Sequence, residues 1–228
     1  MSRCDGKTAL VTDGSRGVGK AAAMALAAAG AQVLVHYYRG AAQAGQVVNE
    51  IRALGGKAET IGASLNSREG PHDLARKTRA IIGDRLDILV LNCTPPREAP
   101  LEGVTVEHFD AQLTNNIRAP LFVIQQMLAI LGVGSSIVFT LAASSSEGDA
   151  LASITSQGAI QALVPYLAST LATRGIRVNA VRPPAQAQDV APAIAFLASG
   201  DASWICGETL GTGRFPRTDP IKAGERQC

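Results

Sequence analysis

Aromatic residues make up only 4% of the chain, and histidine occurs three times in 228 residues. The four cysteines, Cys4, Cys93, Cys206 and Cys228, form no C-x-x-C pair. None has metal-ligand spacing to His36, His72 or His108, so no metal site is expected. Scattered thiols fit a reduced, cytoplasmic protein. No apolar run approaches the roughly 18 residues of a membrane span. The segment Met1–Lys7 carries no hydrophobic leader core before the first strand pattern. Charge is nearly balanced at +2, with no basic run of five or more residues. Neither nucleic acid nor an anionic membrane surface is therefore an expected partner. What is abundant is alanine and glycine, the small residues that let helices pack closely on a parallel sheet.

Strand and helix patterns alternate along the chain. Strands are predicted at Thr8–Thr12, Gln32–Tyr37, Ala58–Ile61, Leu86–Leu91, Ser136–Thr140 and Ile176–Val181. Helices are predicted at Gly17–Ala29, Ala42–Leu54, Pro71–Ile82, Val106–Leu131, Ala150–Thr173 and Asp189–Ala198. Leu86–Leu91 reads as a buried strand without alternation, as parallel sheets require. Repeated β–α units imply a doubly wound parallel sheet, the Rossmann fold, with right-handed crossovers. Residues 1–214 read as one such domain and 215–228 as a polar tail.

The first strand runs into Val11-Thr12-Asp13-Gly14-Ser15-Arg16-Gly17-Val18-Gly19, and a helix opens there. A glycine-rich turn at that point lets backbone approach a pyrophosphate, and the helix start presents free N–H groups to it. The loop resembles the T-G-x-x-x-G-x-G signature of the short-chain dehydrogenase/reductases, and other pieces agree in order. Leu86–Asn92 resembles the family strand that ends in N-N-A-G, and Asn115-Asn116 its helix asparagine. Gly175–Val181 resembles its sixth strand, and Phe196–Ser199 with Trp204–Leu210 its C-terminal helix and last strand. The resemblance is closest to 3-oxoacyl-[acyl-carrier-protein] reductases. It implies a dinucleotide site on Gly14, Ser15, Arg16, Gly17, Gly19, Arg39 and Asn92. Strand two ends in His36-Tyr37-Tyr38-Arg39 without an acid for a ribose 2′-hydroxyl. Arg16 and Arg39 there favour the 2′-phosphate of NADP; the plainer reading is two solvated arginines.

The pattern breaks where the chemistry lies. The family's first loop glycine is Asp13, N-N-A-G becomes Leu91-Asn92-Cys93-Thr94, and the aspartate after strand three becomes Ser64. Counting back from Gly175, the family's tyrosine falls on Ser153 and its lysine on Gln157. No lysine lies between Lys77 and Lys222. The family's serine falls on Ala142, with Ser144 nearby, so only Asn116 survives of four catalytic positions. Asn116 has a structural alternative, stabilising a bend in its helix. Cys93 reads as filler more readily than as a nucleophile, with no histidine expected beside it. Only Pro183–Gln188 stands where relatives carry a substrate lid of roughly thirty residues, a length that the resemblance supplies. Ser153 is short and Gln157 uncharged, so general acid–base help, typically about 10²–10⁴-fold, is expected to be missing.

Three readings stay open: a degenerate, non-redox partner subunit in a homo- or hetero-oligomer with an intact relative; a non-redox cyclase, isomerase or dehydratase; and an atypical NADP-dependent carbonyl reductase. The second would take a small-molecule ligand among Asn92, Asn116, Ser144, Ser153 and Gln157. NADP binding is expected to be weak or absent. Leu163, Val164 and Leu167 are the residues expected to meet a partner.

Overall fold

Seven parallel strands form one sheet in the order β3-β2-β1-β4-β5-β6-β7. They are β1 (Thr8–Val11), β2 (Gln32–Tyr37), β3 (Lys57–Gly62), β4 (Leu86–Asn92), β5 (Leu131–Thr140), β6 (Arg177–Arg182) and β7 (Thr209–Gly211). The structure, a computed structural model, describes residues 3–92, 101–141, 151–182 and 190–211, and of residues 151–153 the backbone only. The helices are α1 (Gly17–Ala28), α2 (Ala41–Ala53), α3 (Gly70–Ile82), α4 (Val106–Leu113), α5 (Ala119–Met127), α6 (Leu151–Ala172) and α7 (Ala191–Ala198). The expected tail 215–228 lies outside the described residues.

The central strands are largely apolar because both faces are covered. Successive side chains point to opposite faces. Leu89 and Leu91 of β4 therefore join one core with Leu74 of α3, Met127 of α5 and Val164 of α6. Ile88 and Val90, between them, join the other core with Leu26 of α1, Val47 of α2 and Leu197 of α7. This is the doubly wound arrangement expected from the alternation.

Three expectations are corrected. The helix predicted over Val106–Leu131 is broken: α4 passes through a wide π turn at Thr114–Arg118 into α5, which ends at Met127. Pro120 explains the turn. It has no N–H to give the carbonyl of Asn116, so the α-helical ladder cannot continue there. Instead the Ala119 N–H reaches back to the Thr114 carbonyl. Second, β5 starts at Leu131, not Ser136. Its register against β4 shifts between Leu86 and Ile88. The Ser135 hydroxyl donates to the Leu86 carbonyl and holds the irregular stretch in the sheet.

Third, the residues expected to meet a partner lie inward. Val164 and Leu167 are buried with Ile160, Ala168 and Leu171, the sheet-facing stripe of α6, and Leu163 packs against the same core. The exposed apolar residues nearby are Leu121 and Phe122 on α5 and Ile154 and Tyr166 on α6.

Candidate functional site

Chain order reverses at the boundary between β1 and β4, the position where doubly wound sheets open a crevice. Hydroxyls lace the strand ends together there. The Thr12 N–H donates to the Val90 carbonyl at 3.0 Å. The Thr12 hydroxyl accepts from the Asn92 N–H at 2.9 Å. The Thr140 hydroxyl donates to the Asn92 side-chain oxygen at 2.6 Å, so Thr12 just after β1 and Thr140 on β5 hold this β4 asparagine in place.

The turn above them is tight. Gly17 adopts a left-handed φ of 51° at the start of α1, and a Cβ on Gly19 would lie 2.2 Å from the Asp13 carbonyl oxygen. Asp13 itself has φ 46°, the one left-handed non-glycine among the described residues. Aspartate tolerates that region better than most residues, so the turn is kept although its expected glycine is absent.

His36 holds this turn from below, a role the sequence reading missed. It is 3% exposed. Its Nε2 lies 3.1 Å from the Ala63 carbonyl, which can only accept, so Nε2 carries the proton. Nδ1 then accepts from the Asp13 N–H at 3.2 Å. Burial holds the imidazole well below its ordinary range, at about 4, against the smaller opposing pull of the Ala63 carbonyl and Asp13. The available signal was position: His36 is the last fully buried residue of the strand leading into the site.

A cavity of about 340 Å³ opens over this turn, lined among others by Thr12, Asp13, Arg16, Tyr38, Arg39 and Asn92. The structure thus brings Arg16, Arg39 and Asn92 together as the resemblance implied, with Gly14, Ser15, Gly17 and Gly19 forming the turn beneath. The Arg39 guanidinium stands 5.2 Å from the centre of the Tyr38 ring. The neighbouring Ser64 hydroxyl and Arg39 lower the Tyr38 phenol pKa from its ordinary value. Arg16 Nε is 3.9 Å from an Asp13 carboxylate oxygen, with the arginine mostly exposed, so solvent screens this pair heavily.

Asn116 is buried in the π turn. It donates to the Gln112 side-chain oxygen at 3.0 Å and the Ser156 hydroxyl at 3.4 Å. Its own side-chain oxygen has no hydrogen bond among the described residues. These contacts tie the bend to α6 and fit the structural alternative for Asn116, while its neighbour Asn115 lines the cavity. Gln157 is partly exposed on α6, next to Ser156, and Ser153 lies on the first turn of that helix. Cys93, Thr94, Ala142, Ser144 and the short segment 183–189 lie outside the described residues. Among the described residues no cluster could hold a metal ion, and no helix is long and apolar enough to cross a membrane.

Residues 7–194 match the short chain dehydrogenase family model. The chain belongs to the short-chain dehydrogenase/reductase family. An uncharacterized oxidoreductase of Methylorubrum extorquens is 34% identical over 245 residues, covering 92% of this chain and 97% of that one. That aligned length exceeds what 92% of 228 residues can fill, so the relative has segments that this family member lacks. A hydroxynaphthalene reductase of Aspergillus fumigatus is 28% identical, covering 98% and 96% of the two chains. Among solved structures, a landomycin C-6 ketoreductase with bound NADP and rabelomycin superposes with a TM-score of 0.86 at 33% identity, covering 93% of this chain and 96% of that one. A Burkholderia cenocepacia short chain dehydrogenase in complex with NADP gives 0.85 at 33% identity, covering 92% and 97%. The relatives are thus oxidoreductases, ketoreductases among them.

Proposed function

We infer that this short-chain dehydrogenase/reductase has left redox chemistry, serves as a non-redox partner subunit, and holds NADP only weakly. One observation carries the reading: counting back from Gly175, the positions that the family fills with a tyrosine and a lysine fall on Ser153 and Gln157, both within α6, and no lysine lies between Lys77 and Lys222. A bound nicotinamide cofactor would supply the hydride. The protein must then put a proton on the carbonyl oxygen and stabilise the charge building there. Ser153 has the wrong reach for a phenol's position, and the amide of Gln157 brings no positive charge to lower a donor's pKa.

The cavity fits the adenosine end of NADP better than its middle. Arg16 and Arg39 both line it. Asp13, however, lines the cavity at the turn where a pyrophosphate is expected, and a carboxylate there opposes a like charge.

A second reading is favoured by the names of the relatives: an NADP-dependent ketoreductase working by another route. One assay separates the two. Purified protein with NADPH and simple ketones or β-ketoacyl thioesters is expected to show no consumption above background. Turnover that is lost on Ser153→Ala would establish the ketoreductase reading and end ours.

The partner role also predicts assembly. Leu121, Phe122, Ile154 and Tyr166 leave apolar surface exposed on α5 and α6. Light scattering is expected to show a dimer or larger species, or a heteromer on co-expression with a catalytically intact relative. A stable monomer at micromolar concentration in both experiments contradicts the proposed role.

A further inference from the structure

A proton reverses the hydrogen-bonding role of His36 under the β1–α1 turn. The neutral ring donates from Nε2 to the Ala63 carbonyl and accepts the Asp13 N–H at Nδ1. The imidazolium donates from both nitrogens. Nδ1–H and the Asp13 N–H would then face each other at 3.2 Å, two donors with no acceptor between them. The Ala63 bond survives, so the ring stays anchored and the turn must move. Three features keep that movement local. The flanking bonds, from the Thr12 N–H to the Val90 carbonyl and from the Gly14 N–H to the His36 carbonyl, do not involve the ring. The hinge is therefore confined to the peptide between Thr12 and Asp13. Asp13 has a φ of 46°, a left-handed conformation that costs a residue with a Cβ some energy, and opening releases it. His36 also lines the cavity, so water can reach Nδ1 once that peptide lifts.

We propose that His36 is an acid-sensitive latch: its neutral ring holds the cavity wall at Thr12 and Asp13 closed, and protonation releases that wall while the sheet stays folded. Any ligand that needs the closed wall is then released in acid. The latch rests on the geometry beneath the cavity and not on what fills it. By strand alternation His36 points to the face of Leu34, where α3 packs. Two charged groups bear on the ring from outside its strand. Asp13 on the turn favours the imidazolium, and Lys77 of α3 opposes it. The flanking strand ends, at Thr12 and Ala63, carry no ionisable side chain. On its own strand, Tyr38 and Arg39 follow and line the cavity.

The test is amide hydrogen exchange by NMR between pH 6.5 and pH 4, with the His36 ring titrated in the same samples. Protection is taken relative to the intrinsic exchange rate at each pH. The Asp13 N–H is expected to be less protected at every pH than the amides of Leu34 and Leu89, which open only with the sheet. The open state binds its proton with ordinary histidine affinity, so the closed turn is favoured fully above about pH 6.5 and loses ground below it. Asp13 protection is expected to fall by about tenfold per pH unit through that window, and the His36 ring to charge only as this protection is lost. His36→Gln keeps an acceptor for the Asp13 N–H and cannot charge, so its Asp13 protection is expected to change by less than about threefold over the same range. A ring that charges while the Asp13 N–H stays protected overturns the proposal. So does Asp13 protection that ignores pH, or that equals the protection of Leu34 and Leu89 throughout. A His36→Gln turn as acid-sensitive as the wild type overturns it as well. Each of these results leaves the non-redox reading standing, and turnover of NADPH refutes that reading without touching the latch.

Discussion

Gly19→Ala is expected to lower the stability of this protein by roughly 3 kcal/mol, the upper range for overpacking at a rigid site. The added Cβ would lie 2.2 Å from the Asp13 carbonyl oxygen and 2.9 Å from its carbon, with the Asn92 amide nitrogen 3.1 Å away on another side. None of these neighbours is the free end of a flexible side chain. The Asp13 backbone is pinned by His36. Asn92 is held by Thr12 and Thr140. The turn must therefore open, and the cavity above it opens too. In a domain of this size the cost corresponds to a fall in Tm of about 6–12 °C.

Gly45→Ala in the middle of α2 makes the matched comparison. Nothing lies within 4 Å of its new Cβ, so helix propensity alone decides, and a gain of roughly 0.5–1 kcal/mol is expected. Thermal unfolding of the two variants should move in opposite directions. A Gly19→Ala protein that melts within a degree of the wild type would show that the turn is not held as described.

The second large effect is acid sensitivity through His36. Burial places its folded-state pKa at about 4, whereas an unfolded histidine titrates near 6.5. Between those values the unfolded chain binds a proton that the folded one refuses. Stability is therefore unaffected by this group above about pH 6.5. It falls as pH drops through the window, and the loss levels off below about 4. The total is roughly 3 kcal/mol, with a slope of up to about 1.4 kcal/mol per pH unit. Asp13 and Lys77 are the charged groups that bear on the ring, and both act less than burial.

His36→Gln removes the titration, and its amide oxygen can still accept from the Asp13 N–H. Denaturant unfolding at pH 7 and pH 4.5 should show a markedly smaller acid loss for the variant than for the wild type. Parallel losses in the two proteins would mean that His36 takes up its proton in the folded state near its ordinary pKa.

The β–α order was legible in the sequence because it rests on local pattern. Ile88–Leu91 is apolar at every position, as two covered faces require, and the glycines at 17 and 19 mark a turn that only a backbone free of Cβ can make. From those two signals the parallel sheet and the cavity at its switch point could be expected, while the meeting of Arg16, Arg39 and Asn92 followed from the family resemblance. That positions 153 and 157 hold serine and glutamine is likewise a matter of residue identity, which no fold can change.

Tertiary structure decided the rest. That Pro120 opens a π turn depends on which carbonyl loses its donor, a matter of hydrogen-bond geometry. That Val164 and Leu167 face the sheet and leave Tyr166 outside depends on how α6 is rotated about its axis, and the helix is apolar enough on several sides to hide this. That His36 supports Asp13 across 23 residues of chain depends on two strands lying side by side. A contact of that kind has no trace in local sequence, because the partners become neighbours only when the sheet forms.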